Sequence, residues 1–312
     1  MLSWWQKKQE RTAFDMKKTV TLEARAKINL YLDILSRREN GYHNILSVMQ
    51  AVELSDTVTL TASAAGSGIR VETDIPGLPT DRRNLAYRAA DKFAALLGRE
   101  PDVRISIQKR IPMSAGLAGG SADAAAVLRG LNELYGIHAP LDELCRLGAA
   151  LGADIPFCIV GGAMIAEGIG EILTPCAGLS EALWLVIACG GEGVSTPDAY
   201  RALDEAHGNF ALPREGGERF RSLTAALSED NTTDLGAHMY NIFEEIVLPV
   251  HSTASKLIDE MKAHGAKAAM MSGSGPSVFG IFDTEEKAAE AAAQIERALG
   301  IPAHVTRPAP KD

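Results

Sequence analysis

Along residues 19–25 β-branched and polar positions alternate, the period of a half-buried strand. Strand-like residues resume over 27–35. A charged stretch, 37–41, then closes on Asn40-Gly41, a dipeptide that favours a tight hairpin. Residues 45–51, 57–61 and 69–72 read as further strands. The period then changes. Leu85, Ala89, Phe93 and Leu96 recur at helical spacing within 84–97, and VRISIQ (103–108) returns to alternation. After Lys109-Arg110-Ile111-Pro112 comes a glycine-rich loop, 113–120. Ser121 is the predicted start of a long helix with Ala124, Leu128, Leu131 and Leu134 along one side. A second helix is predicted over 141–151, stopped by Gly152. An apolar strand carrying a Gly-Gly pair is predicted over 157–166.

The composition shifts near 174–182, which predicts a domain boundary there. Beyond it the pattern reads strand (183–188), helix (197–206), polar helices to about 249 and helix (252–264). Strand (268–271), glycine-rich turn (272–276), strand (278–282), helix (285–299) and a last short strand follow. This βα…αββαβ order predicts a split, ferredoxin-like sheet with helices on one face. REGGER (214–219) reads as a surface loop.

A chain of 312 residues with 46% apolar and 23% charged positions can bury one large or two ordinary cores. The net charge of −9 argues against a nucleic-acid partner. Any phosphate must then be held locally, by backbone N–H groups and a few placed cations. Cys145, Cys158, Cys176 and Cys189 form no C-x-x-C pair and read as reduced core residues, which points to a cytoplasmic setting. The seven histidines form no metal-binding spacing, so no protein-built metal site is expected. No apolar run is long enough for a membrane span. Residues 1–18 lack the order of a signal peptide and read as a loose leader.

Four segments carry candidate chemistry. Three glycines, 116, 119 and 120, predict a loop that adopts positive φ and brings its amides to a ligand beside a helix N-terminus. Glycine count alone fits a tight turn with a helix cap equally well. The loop is neither a Walker A sequence nor a dinucleotide fingerprint. Lys27 sits among strand residues, where an exposed lysine is the ordinary reading. Asp154 lies between a helix end and an apolar stretch, where it could cap or turn the chain. Residues 272–276 read as a glycine-rich hairpin.

Taken together, Ala26-Lys27-Ile28-Asn29-Leu30, Gly41-Tyr42-His43, Pro112…Gly116-Leu117-Ala118-Gly119-Gly120-Ser121-Ala122-Asp123, Gly152-Ala153-Asp154-Ile155-Pro156, Ala166-Glu167-Gly168-Ile169-Gly170-Glu171 and Met271-Ser272-Gly273-Ser274-Gly275-Pro276 resemble the GHMP kinase superfamily. Within it they resemble the branch acting on a cytidine-diphosphate methylerythritol. The likeness spans about residues 19–307. It implies an α+β, two-domain fold: an N-terminal ribosomal-protein-S5-like domain (19–178) and a C-terminal ferredoxin-like domain (179–312), after the leader. It implies ATP as co-substrate, with Mg2+ carried on it, no nucleic-acid or membrane partner, and a monomer or homodimer. Asp154 would be the catalytic base and Lys27 would steady charge on the transferring group. Asn29 and Thr196 would meet the sugar alcohol, and Tyr42, His43 and Tyr200 the cytosine. Pro112, Met113, Ser114, Ala115, Gly116, Leu117, Ala118, Gly119, Gly120 and Ser121 would hold the ATP phosphates. Asn84, Lys109 and Asn132 would line the nucleotide pocket. The family's usual Gly-Leu-Gly-Gly-Gly-Ser-Ser departs here at Ala118 and Ala122; alanine at 118 is easy if φ is negative and crowds the phosphate if φ is positive. Another alcohol kinase of the superfamily (homoserine or mevalonate type) and a non-catalytic sensor on the same fold are the competing readings.

Overall fold

The computed structural model describes residues 18–191, 193–210, 217–232 and 235–310. The leader, apart from Lys18, and residues 214–216 of the expected 214–219 loop lie outside the described residues, while Glu218 and Arg219 of that loop instead begin a helix. Thr19–Arg37 (β1) and His43–Ala62 (β2) form one long antiparallel hairpin. Sequence periodicity splits each of them in two, because the register slips between Arg25 and Lys27, Asn29 and Tyr31, and Ile34 and Ser36. The predicted Asn40-Gly41 turn joins them, with Asn40 Oδ1 accepting from the Tyr42 amide at 3.2 Å. Ile69–Thr73 (β3) and Val103–Gln108 (β4) extend this sheet at the edge of β2.

Leu85–Leu97 (α1) is capped by Asn84, whose Oδ1 accepts from the Ala86 amide at 2.8 Å. Gly119–Leu134 (α2) packs on α1, β1 and β2. Leu128, Leu131 and Leu134 of α2 are fully buried, each contributing about 2 kcal/mol. Leu141–Ala149 (α3) follows as predicted. The strand expected over 157–166 is not one element. Ile155–Val160 is a short helix (α4), Gly161-Gly162 breaks it, and Ala163–Glu167 (β5) pairs with β2 and with Ile172–Pro175 (β6). A buried apolar run carries no period that separates helix from strand.

The second sheet is Trp184–Cys189 (β7), Ala268–Met271 (β9), Ser277–Phe282 (β10) and Ala303–Thr306 (β11), in the order β11-β7-β10-β9. Its helices are Thr196–Ala206 (α5), Glu218–Ser228 (α6), Leu235–His238 (α7), Glu244–Val247 (α8), Ser252–Ala263 (α9) and Glu285–Leu299 (α10). The antiparallel order matches the ferredoxin-like expectation. Val186 and Ala188 face α9 and α10, while Leu185 and Ile187 join the core shared with α6, so both faces are covered. Tyr240–Asn241 (β8) pairs with β1, and Val52 bridges Pro308, so the chain's second half returns to the first sheet. The four cysteines are unpaired and half-buried rather than deep in the core. No helix among the described residues is long and apolar enough to cross a membrane.

Candidate active site

One cleft of about 1180 Å³ collects the predicted residues. Every one of them lines it except Leu117 and Asn132. Leu117 points its side chain into the core and its carbonyl accepts from the Lys27 amide at 3.1 Å. Asn132 lies well down α2, where its amide oxygen accepts from the Ala139 N–H (2.8 Å) and its NH2 donates to the Ala139 carbonyl (3.1 Å). Both ends of that side chain are spent on a turn.

The floor of the cleft is the N-terminus of α2. Its first amides have no partner inside the helix, and they make an anion-binding end. The positive φ angles expected at all three glycines occur only at Gly116 (+74°); the others are at Ser114 (+53°) and Ala118 (+57°). Gly119 and Gly120 instead form the first turn of α2, which starts two residues earlier than predicted. A Cβ at Gly116 would overlap the carbonyl oxygen of Ser272, so this loop and the 272–276 loop interlock, with Ser272 Oγ donating to the Gly116 carbonyl at 3.2 Å. A Cβ at Gly119 would press on Ile111 at 3.1 Å and stand 3.5 Å from Lys109 Nζ.

Lys27 and Asn29 come from alternate positions of β1, on the face opposite Ala26 and Ile28, so both point into the cleft while the strand's other face builds the core. Lys27 is only 4% exposed. Its Nζ donates to Asn29 Oδ1 (2.6 Å) and to the Gly116 carbonyl (3.0 Å), which leaves one of its three N–H groups. Asn29 is held in turn by Ser47 Oγ at 2.8 Å. Asp154 stands at the start of α4, and its carboxylate has no hydrogen-bond partner and no ion pair among the described residues. It shares the cleft with Lys27 without touching it. The charges of both act on Cys158, one turn along α4, whose thiol is pushed up first by burial, then by Asp154, with Lys27 opposing.

The far end of the cleft is aromatic. His43, 7% exposed, stacks on Tyr200 with ring centroids 4.8 Å apart and planes 23° apart. Tyr200 meets Phe243 edge-on at 4.9 Å. Burial, and to a lesser degree the charge of Asp154, push the Tyr200 phenol up. Tyr42 stands 59% exposed at the rim, and Thr196 Oγ1 lies 2.9 Å from Ser274 Oγ. An amide-lined cradle, a lysine, an unpartnered aspartate and a buried aromatic end thus share one space.

The profile of the GHMP kinases N terminal domain matches residues 84–162, and that of the GHMP kinases C terminal region matches 223–301. A 4-diphosphocytidyl-2-C-methyl-D-erythritol kinase from Alkaliphilus metalliredigens is 43% identical over 274 residues, 88% of this chain and 91% of its own. The chain belongs to the GHMP kinase family. Another relative of that name, from Synechococcus sp. (strain JA-3-3Ab), is 44% identical over 87% of each chain. A crystal structure of 4-(cytidine 5'-diphospho)-2C-methyl-D-erythritol kinase superposes with a TM-score of 0.76 at 32% identity, covering 93% of this chain and all of the other. Homoserine kinase from Cytophaga hutchinsonii shares the fold, with a TM-score of 0.72 at 20% identity over 97% of this chain and 98% of its own.

Three further carboxylates around this GHMP kinase site fall outside the expected set, and of them only Asp56 has no motif beside it in the sequence. Asp56 and Asp123 both bond Lys109 Nζ, the latter at 2.7 Å. Asp56 is also held by the amides of Arg110 and Ile111, at 2.5 and 2.8 Å. Asp123 keeps one oxygen, Oδ1, buried without a partner. Burial pushes its carboxyl up to about 7; Lys109 opposes the shift and neighbouring Asp56 adds to it. Burial alone would lower Lys109, but the two carboxylates outweigh it and hold its ammonium above the ordinary lysine value. Asp204, the third, bonds His43. Asp123 was inside the glycine-loop motif and Asp204 is one turn past Tyr200; a search for carboxylates flanking those motifs would have found both. Among the described residues no group of three or more His, Cys, Asp or Glu is arranged to hold a metal ion.

Proposed function

We propose that this protein transfers the γ-phosphoryl group of ATP to the 2-hydroxyl of 4-diphosphocytidyl-2-C-methyl-D-erythritol, a step in non-mevalonate isoprenoid precursor biosynthesis. The supporting observation is that Lys27 and the unpartnered Asp154 flank the amide cradle inside the same cleft that ends in the buried His43–Tyr200 stack. Relatives of that name at 43–44% identity support the same substrate.

In this reading the helix α2 amides hold the ATP phosphates, and Asn84 and Lys109 line the nucleotide pocket. Magnesium comes with ATP as part of the substrate, ligated mostly by phosphate oxygens and water. Asp154 accepts the proton of the substrate hydroxyl as its oxygen bonds to the γ-phosphorus, while the bond from that phosphorus to the bridging oxygen breaks and ADP leaves. The remaining N–H of Lys27 meets the γ-phosphoryl oxygens and stabilises charge as the group transfers. Tyr42, His43 and Tyr200 hold the cytosine, and Asn29 and Thr196 orient the sugar alcohol. A reducing cytoplasm suits the four unpaired cysteines.

Homoserine and mevalonate carry no base and need no aromatic pocket, so the His43–Tyr200 end disfavours them. A sensor has no use for a lysine and a free carboxylate beside the cradle. The test is ADP release by purified protein with ATP and the cytidine-diphosphate alcohol, against free methylerythritol, homoserine and mevalonate as controls. Turnover of the cytidine substrate alone is expected. Equal turnover of a control overturns the substrate assignment, and tight binding of the cytidine substrate without any turnover overturns the enzyme.

A further inference from the structure

Helix α5 grips His43 at two points. Tyr200 lies on the face of the ring, and Asp204, one turn further along the same helix, accepts from Nε2 at 2.7 Å. The second oxygen of Asp204 faces the Arg37 guanidinium at 3.5 Å. Arg37 and His43 are cross-strand partners at the tip of the β1–β2 hairpin, and the residue between the turn and His43 is Tyr42. Phe210 closes the edge of the His43 ring, with centroids 6.0 Å apart and planes at 82°. One carboxylate therefore ties both strands of the hairpin tip to the helix that carries Tyr200. Asp204 is itself 7% exposed, and a carboxylate taken that far out of water is unfavourable unless it is hydrogen-bonded and paired. No step of phosphoryl transfer described above uses it.

We propose that Asp204 is a positioning residue for the base-binding end of the cleft. By accepting the Nε2 proton of His43 it fixes which ring nitrogen carries the hydrogen and how the ring lies on Tyr200. By facing Arg37 it keeps the hairpin tip with Tyr42 against α5. The aromatic walls then stand in place before substrate arrives, so less freedom is lost on binding. The effect falls on the cytidine end alone and leaves the phosphate cradle and Asp154 untouched. The inference rests on the function proposed above, and its test separates the two.

Full-length Asp204→Ala and Asp204→Asn variants are compared with wild type by steady-state kinetics. The His43 imidazole is followed by 15N NMR at alkaline pH. Asp204→Ala is expected to raise KM for the cytidine-diphosphate substrate about tenfold or more, with kcat and KM for ATP within about twofold. Asp204→Asn, which keeps an accepting oxygen, falls between. The His43 spectrum moves from the Nε2–H tautomer toward a mixture. An unchanged KM with an unchanged imidazole spectrum overturns the inference. So does a parallel loss of kcat and of affinity for both substrates, which marks a purely structural role. If wild type fails to turn over the cytidine substrate, the functional reading fails instead, and the imidazole spectrum of Asp204→Ala still decides whether Asp204 sets the ring.

Discussion

Replacing Ala118 by glycine should stabilise the protein, although glycine stabilises almost nowhere else. Ala118 precedes α2 with φ +57° and ψ +28°, in the left-handed region. A Cβ there crowds the following carbonyl and costs about 1–2 kcal/mol. Glycine removes that strain but adds about 0.4–1 kcal/mol of chain entropy to the unfolded state. The difference favours Ala118→Gly by up to about 1.5 kcal/mol, a rise in Tm of up to about 2 °C. Ala122, four residues on, provides the control. It is 1% exposed inside the helix. The same change there loses about 1 kcal/mol of helix propensity and about 0.8 kcal/mol of buried methyl, so Tm should fall by about 3 °C. Calorimetry of the two variants reads opposite signs from one chemical change. Because the 118 methyl borders the phosphate cradle, KM for ATP should also stay level or fall in Ala118→Gly. A drop in Tm at 118 comparable to that at 122, or a tenfold rise in KM for ATP, would refute the left-handed assignment.

Other perturbations probe the rest of the site. Asp154→Asn should lower kcat by about 10²-fold or more while the binding of both substrates, followed by titration, changes little; near-normal turnover removes Asp154 as the base. Gly116→Ala should destabilise by about 3 kcal/mol or more, since its Cβ meets the Ser272 carbonyl and its φ is +74°; a melt within a degree of wild type would mean the two loops are not interlocked. Asp123 has its carboxyl raised from 3.8 to about 7, so the folded state binds the extra proton and the stability linked to it is lost as pH rises from about 4 through 7. Asp123→Asn removes that linkage, so the Tm of the variant relative to wild type should climb across this window; a constant difference contradicts the raised carboxyl.

The hairpin turn at Asn40-Gly41, helices α1 and α10, and strands β4 and β9 follow from local pattern, because each has a clean period and a local start or stop signal. The same local logic missed the continuity of β1 and β2. A register slip reverses which side chains face the core, and that reads as an ended strand until its partner is known. It also merged α4 with β5, since the run is apolar on nearly every position and its sequence carries no period. The motif residues were legible as a set, through resemblance, but not as a site. Nothing near Lys27 in the chain says that its ammonium rests on the Gly116 carbonyl, 89 residues away.

Residue types and their short-range order determined which segments could bind an anion, accept a proton or stack on a ring, because those capacities belong to the side chains and to the helix end. Only the tertiary structure decided where the left-handed angles fell, which carboxylates were buried around Lys109, and that Asp204 would hold His43 from 161 residues away. Backbone angles in a packed loop and the ionisation of a buried acid are set by what the rest of the chain presses against them, and no window of neighbouring residues carries that information.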